Sequence, residues 1–408
     1  MKATYFHIFL FISICFNVVN AQSLEEYLDI AEKNNPGLKS KFEEFEAAMQ
    51  KIPQVSSLPD PSLSVSAFGQ MVETRVGQQM ARFSLSQMFP WFGTLEAKKN
   101  SATLLAEAKY QSYLDARNEL RYRVKAAYYP LYELDQLIHL QEENLEILST
   151  YKTLATSKFQ NGSGKLADAL RVDIMTNDLD TEIGILTAKR KPLQANFNTL
   201  LNRPVDETIE VGEFASPIEP IEFSVDSVLL NNPRVGEMEQ RIASAQAQET
   251  VAVSQGMPRL GLGFEYIITA KRPGMDFEDN GKDAYMPMFT VSLPIYRRKY
   301  RAAVSESRHM QQSFSEMKQD IKNRLTSEVE QVLFARERAM KQLSLFDQQI
   351  GQTQQVIDLL LSGYGNSGAD FEEILRMQQM LLKYEMNKVS MLVEYYVAEA
   401  RLVYLSGD

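Results

Sequence analysis

The chain has 408 residues, of which 44% are hydrophobic and 24% charged, with a formal charge of −10 and one cysteine. An acidic balance of this size argues against a nucleic-acid partner, and a lone cysteine excludes a disulfide framework. Three histidines leave little material for a metal centre.

Lys2, the apolar run Tyr5 to Val19 and the small-residue point Asn20-Ala21-Gln22 read as a secretory signal peptide over residues 1–21. Cleavage after Ala21 would remove Cys15 and His7, leaving no cysteine at the new N-terminus to carry lipid. No later stretch reaches the roughly 18 apolar residues that a membrane helix requires.

From residue 22 onward one pattern is written twice, its copies roughly 200 residues apart. The first repeat spans residues 22–201. It predicts a helix over Leu24–Ile52, with Asn35-Pro36 inside it, and strands after Pro59-Asp60-Pro61 and up to Phe89-Pro90. A long helix from Leu95 to about Gln160, the turn Asn161-Gly162-Ser163-Gly164 and a helix over Leu166–Leu200 complete it. A Pro- and Glu-rich connector covers 202–222. The second repeat, 223–408, restates the order: a helix over Val225–Val253 containing Asn232-Pro233, strands after Pro258 and up to Leu293-Pro294, and a long helix over about Arg301–Leu361. A Gly-rich turn from Gly363 to Gly368 and a helix over Phe371–Tyr404 end it.

The four strand segments alternate with a period of two. Leu63, Val65 and Ala67 face away from Ser62, Ser64 and Ser66; Ala81, Phe83 and Leu85 from Arg82, Ser84 and Ser86. Leu260, Leu262 and Phe264 oppose Arg259, Gly261, Gly263 and Glu265, and Phe289, Val291 and Leu293 oppose Thr290 and Ser292. Two hairpins on a soluble core would show this alternation, and so would a membrane barrel with its apolar face toward lipid. Phe89, Trp91, Phe92, Tyr266, Tyr285 and Tyr296 near the strand ends suit an interfacial belt. Lipid leaves no backbone group unpaired, so a membrane sheet must close on itself. Four strands are too few, since the smallest outer-membrane barrels use about eight. A membrane reading therefore demands several chains in one ring. Prolines at all four strand–helix joints place the helices on one side of the sheet, and the loops Glu73–Gly77 and Lys271–Asp283 on the other.

The long helices carry seams at Leu131, Leu134, Ile138, Leu145 and Leu148, and at Leu325, Val329, Val332, Ala339, Leu343, Phe346, Ile350, Ile357 and Leu360. Spacings of three and four sustained this far predict near-parallel coiled-coil packing. About 65 residues at ~1.5 Å each make a rod of roughly 100 Å, which suits a conduit wall. Pro130 marks a kink or a junction between two helices.

No Ser-His-Asp grouping, His-x-x-x-His pair or nucleophile elbow is present, so no catalytic, cofactor-binding or metal residue is assigned and the chain reads as a non-enzyme. The 18 methionines are scattered, with wall packing as their default and copper transfer as the alternative. After each Gly-rich turn stands a charged group: Asp168, Arg171 and Asp173 in one copy, and Asp370, Glu372, Glu373 and Arg376 in the other. Helix capping accounts for acids there. A charged gate at a constriction is the alternative, with Asp168, Arg171, Asp173, Asp370, Glu373 and Arg376 as its candidates.

The stretches LEEYLDIAEKNNPGLKS, LPDPSLSVSAFG, SLSQMFPWFGTLEAKK, NGSGKLADALR, LLNRPV, VLLNNPRV, MPRLGLGFEY, FTVSLPIYRRKYRAAV and EYYVAEARLVYLSG, in this order and duplicated, resemble the TolC family of outer-membrane efflux proteins. The resemblance implies a mainly α fold with a small β part. It implies a homotrimer whose twelve-stranded outer-membrane barrel, four strands per chain, continues into a long α-helical tunnel in the periplasm. The implied function is a passive exit duct for small molecules or metal ions. Its implied partners are a periplasmic adaptor, an inner-membrane pump (proton-driven in one branch) and outer-membrane lipid. Protein export in type I secretion is a further role of such channels, and a periplasmic coiled-coil scaffold is the non-transport alternative. The FPWFG and PDPSL segments resemble the heavy-metal-efflux branch. In some relatives an Asp-Val-Leu-Asp run narrows the tunnel entrance. Here Glu373-Ile374-Leu375-Arg376 and Asp168-Ala169-Leu170-Arg171 put arginine where the second aspartate would stand, which favours an acid–arginine latch between neighbouring helices.

Overall fold

The computed structural model describes residues 23–212, 223–366 and 370–407. The signal segment, the connector beyond Gly212 and residues 367–369 of the second Gly-rich turn lie outside the described residues. The described elements run α1 (Leu24–Asn34), α2 (Pro36–Ser56), β1 (Ser62–Thr74), β2 (Gly77–Phe89), α3 (Thr94–Gln160) and α4 (Leu166–Leu200). The second copy comprises α5 (Val225–Asn231), α6 (Pro233–Gln255), β3 (Arg259–Ala270), β4 (Ala284–Ser292), α7 (Arg297–Asn366) and α8 (Phe371–Ser406).

Each opening helix, expected as one piece, is two. Asn35 and Asn232 hold extended backbones, with ψ of 121° and 124°, because a following proline disfavours the α region. Each then caps the next helix: Asn35 Oδ1 accepts from the Leu38 amide at 3.1 Å, and Asn232 Oδ1 from the Arg234 amide at 3.0 Å. Proline at the first helical position loses no hydrogen bond there. Asn-Pro is thus a stop-and-restart signal in both copies. Pro130, in contrast, neither ends nor divides its helix, and α3 is continuous across it. The second long helix also outlasts its expected end, taking Gly363 and Gly365 into α7, which stops at Asn366.

The elements gather into two compact units. One comprises the described residues of Met1–Ala31, Val124–Ile218 and Gln349–Ser390; the other those of Glu32–Arg123, Glu219–Gln348 and Met391–Asp408. Both long helices contribute to both units.

In the first unit the α3 seam is more polar than its leucines suggest. Leu134, Leu148 and Ala155 are buried at heptad spacing, and Gln141 and Asn144 are buried between them, whereas Ile138 and Leu145 are only half-buried. The Gln378 side chain of α8 donates to Asn144 Oδ1 at 2.9 Å and accepts from the Tyr151 hydroxyl at 3.3 Å. Gln141 donates to the Met386 sulfur at 3.4 Å. Buried amides in a helical seam satisfy one another in only one register, so they set the axial alignment of α3 against α8. The described part of the connector is tied down by Tyr27, Tyr128 and Phe197, whose rings lie 5.1 to 5.9 Å apart. The Gly212 amide donates to the Tyr128 hydroxyl at 2.9 Å, and Asn198 Nδ2 donates to the carbonyl oxygens of Val205 and Glu207.

In the second unit, Val228, Val235, Leu325, Val329, Leu402 and Leu405 form the apolar centre. Asn232 Nδ2 donates to the Leu405 carbonyl at 2.9 Å, and Asn118 Nδ2 to the Gly407 carbonyl at 2.9 Å. Beside them Arg234 pairs with Asp115 at 3.0 Å while its guanidinium lies over the Tyr404 ring. Burial raises the Asp115 carboxyl above its ordinary value, and the Arg234 charge opposes the rise.

Candidate functional site

Two regions stand out, one in each unit. The first is the antiparallel sheet, ordered β1-β2-β3-β4. Its register stacks the apolar positions of all four strands in common rows. Leu63 pairs with Leu85, Leu85 with Phe264, and Phe264 with Pro287; one row on, Val65 pairs with Phe83, Phe83 with Tyr266, and Tyr266 with Tyr285. Ala67, Ala81 and Ile268 form the next row, and Leu262 faces Phe289 on the other side. This face is bare: Leu63 is 66% exposed, Leu85 51% and Phe289 66%. Phe264 and Tyr285 stack upon it, their centroids 6.2 Å apart. Water penalises such a patch at roughly 25 cal/mol per Å², and contiguous apolar faces of this kind mark contact with lipid or protein.

The opposite face holds small and polar side chains. Its rows are Ser62, Ser86, Gly263 and Met288; Ser64, Ser84, Glu265 and Met286; and Ser66, Arg82, Ile267 and Ala284. Glu265, Ile267 and Thr269 are buried along β3 on this side. Arg82 Nε meets Glu265 Oε1 at 2.8 Å. One face of the sheet is thus apolar and exposed, while the other is mostly small or polar and is buried mainly along β3. β1 and β4 are its edges, and β4 carries Pro287, which an edge strand tolerates because it supplies no amide donor. Near the strand ends Trp91, Phe92, Tyr285 and Tyr296 are exposed, while Phe89 is half-buried.

A two-residue turn joins β1 to β2, and the loop between β3 and β4 is ordered upon that turn. Arg272 reaches Glu73 at 3.1 Å, and the Gly281 amide donates to the Val76 carbonyl at 2.6 Å. Asp283 accepts from the Thr269 amide at 2.8 Å and from the Tyr266 hydroxyl at 2.5 Å.

The second region surrounds the turns between α3 and α4 and between α7 and α8. The α3 end closes by a 6→1 bond from the Ser163 amide to the Lys158 carbonyl at 2.9 Å, with the Gly162 amide on the Phe159 carbonyl at 3.0 Å. Gly162 has φ of 72°, the left-handed conformation that such a cap requires. Beneath the turns Leu148, Tyr151, Val172, Tyr364, Phe371 and Ile374 form a buried cluster. Lys158 donates to the Tyr364 carbonyl and lies over its ring at 4.2 Å. Burial raises the Tyr364 hydroxyl above its ordinary value, and the charge of Asp168 adds to the rise.

All six sequence-predicted residues lie at or near the starts of α4 and α8. Asp168 is buried and accepts from Arg171 Nη1 at 3.4 Å. The other end of the Arg171 fork reaches Glu372 at 2.9 Å, crossing from α4 to α8. Arg376 instead stays on its own helix, with Nε and Nη2 on the two oxygens of Glu373 at 3.0 and 2.5 Å. The Glu373 carboxylate raises the Arg376 guanidinium above its ordinary value. Asp370 caps α8 by accepting from the Glu372 amide at 3.2 Å, and Asp173 pairs with Lys152 of α3 at 2.6 Å. Sequence reasoning does not find Lys152, Lys158 or the Arg82–Glu265 pair. The first two stand on α3, out of local register with their partners. Arg82 and Glu265 had one signal, as the charges interrupting a serine–glycine face.

Among the described residues, no cluster of three His, Cys, Asp or Glu side chains is placed to hold a metal ion. Among them also, no helix is long and apolar enough to cross a membrane.

The family model described as outer membrane efflux protein matches residues 27–196 and again 224–408, so the duplication is covered copy by copy. The pyoverdine export outer membrane protein OpmQ of Pseudomonas putida is 23% identical over 309 residues, 74% of this chain and 64% of OpmQ. The chain thus spans a little under two thirds of that relative. The open state of the Neisseria gonorrhoeae MtrE outer membrane channel matches with a TM-score of 0.74 at 18% identity, covering 94% of this chain and 88% of MtrE. The Vibrio cholerae outer membrane protein VceC matches with a TM-score of 0.74 at 16% identity, over 94% of this chain and 96% of VceC.

Proposed function

The chain belongs to the outer membrane efflux protein family, whose members are transport channels of the outer membrane and not enzymes, and on that premise we propose that it forms a trimeric exit duct. In this reading the four strands of each protomer join those of two others in a twelve-stranded barrel. The bare apolar face meets lipid and the serine–glycine face lines water. The helices then wall a tunnel in the periplasm, where an adaptor links them to an inner-membrane pump. The duct is passive, and the pump supplies the energy.

One observation carries this reading. The sheet exposes a four-strand apolar face and ends in two edges, β1 and β4. Lipid would accept the face but not the edges, and closure with sibling chains answers both demands. The cargo class is small molecules or metal ions. The FPWFG and PDPSL segments support the heavy-metal branch with its proton-driven pump. At the helix turns the Arg171–Glu372 bridge serves as a latch, because it joins two helix starts that dilation would separate.

The test is extraction of the native protein from the envelope, then planar-bilayer recording. A detergent-soluble, heat-sensitive trimer that conducts is the expected result. A monomer that stays in solution without detergent, or a trimer that does not conduct, overturns the duct.

A further inference from the structure

The polar face of the sheet carries mostly small side chains, with Met88, Ile267, Met286 and Met288 among them, and two adjacent rows place charges on it. Ser62, Ser64, Ser66, Ser84, Ser86, Gly261, Gly263, Thr290 and Ser292 share this face. Against that background Arg82 and Glu265 form an ion pair at 2.8 Å. The Arg82 guanidinium also lies 5.7 Å from the centre of the Phe68 ring. It thus lies against a carboxylate and beside an aromatic ring, both of which favour a cation there.

A pair placed here contributes little as a staple. Sheltering a carboxylate costs most of what its partner returns, and neutral replacements of such pairs are often as stable. The pair is also lopsided: the Glu265 side chain is 7% exposed and that of Arg82 is 41% exposed. The carboxylate is withdrawn into the sheet, and the positive end of the pair is what the water beside this face meets. We infer that Arg82, positioned by Glu265 and Phe68, is a charge-selective collar on the water-lined face of the duct, favouring anionic solutes such as carboxylates and phosphates over cations. The inference rests on the trimeric reading above, because three copies close one guanidinium each into a ring.

The experiment records reversal potentials of the full-length protein in planar bilayers under a KCl gradient, with Arg82→Glu, Arg82→Gln and Arg82→Lys beside wild type. The chloride-to-potassium permeability ratio should fall about threefold in Arg82→Glu at ~0.1 M salt, where the screening length is about 10 Å. Arg82→Gln should give an intermediate value and Arg82→Lys one near wild type. Glu265→Gln, which removes the counter-charge, should raise the ratio. All differences should fade at ~1 M salt, where screening shortens to about 3 Å. Ratios unchanged in Arg82→Glu and Arg82→Gln channels that form heat-sensitive trimers would overturn the collar and leave the duct standing. Should Arg82→Glu fail to assemble, the neutral Arg82→Gln and the Glu265→Gln channels decide the matter by the same ratio. Wild-type protein that neither trimerises nor conducts defeats the duct itself, and the collar with it.

Discussion

The sheet and the helix-turn region solve opposite solvent problems with the same residue types. Around the turns Phe371, Ile374 and Val172 are buried and the charges of Arg171, Glu373 and Arg376 point outward, the arrangement water selects. In the sheet Leu63, Leu85 and Phe289 are bare, and the charged Glu265 is buried beside Ile267 and Thr269. An apolar periodicity therefore specifies a face, and its surroundings decide whether that face is an inside or an outside.

The contrast can be broken most severely at the turns. Phe371→Ala removes a fully buried ring and should destabilise the unit by about 3–5 kcal/mol, read as a lowered urea midpoint in circular dichroism. A loss below about 1 kcal/mol would mean that the charged turns do not rest on a packed core. A comparable insult to the sheet is Phe264→Arg on its bare face. If that face meets lipid, the change costs about 2–4 kcal/mol near the bilayer midplane, and heat-sensitive trimer in the outer-membrane fraction should drop. A face that meets only water would accept arginine without loss.

Smaller effects separate the two arginines of the turns. Arg376 sits in a surface pair, so neutralising it should change stability by less than about 1 kcal/mol, whereas neutralising Arg171 should cost more because the buried Asp168 loses a partner. Function should divide them from ordinary surface charges: Arg171→Glu with Arg376→Glu should raise single-channel conductance, with most of the gain already present in Arg171→Glu. Unchanged conductance would reject the latch. The mildest test concerns pH. Burial and the charge of Glu143 hold the Glu385 carboxyl above its ordinary value, with Lys388 opposing. An acid with a raised folded pKa costs stability while ionised, and the cost disappears as pH falls through that value. The unit should therefore gain slightly on acidification from neutral pH, and Glu385→Gln should flatten that part of the melting-temperature profile.

Much of the fold is legible in the order of residues. The duplication, the four strands, the reach of α3 and the limits of the Lys271–Asp283 loop all follow from periodicity and from proline and glycine. The departures share a cause, since periodicity alone overlooks what single residues do. It runs a helix straight through Asn35-Pro36 and Asn232-Pro233, although asparagine caps and proline restarts. It offers a kink or a junction at Pro130, yet α3 runs through that residue without a junction. It passes over Gln141 and Asn144, because an apolar template cannot anticipate amides that find partners across a seam. The charges at the two helix starts are legible in position, but not all of their pairing: Arg171 and Arg376 each meet the acid three residues earlier, and only Arg171 also crosses to a second helix.

Chain order alone settled the local matters, since dihedral preference, capping and alternation act within a few residues. It determined the element sequence, the two-faced strands and the charged helix starts. Only the tertiary structure decided which side chains meet: that Arg171 crosses to Glu372, that Lys152 finds Asp173, and that Glu265 withdraws while Arg82 faces water. Those choices depend on distances between segments remote in sequence, and no local preference encodes them.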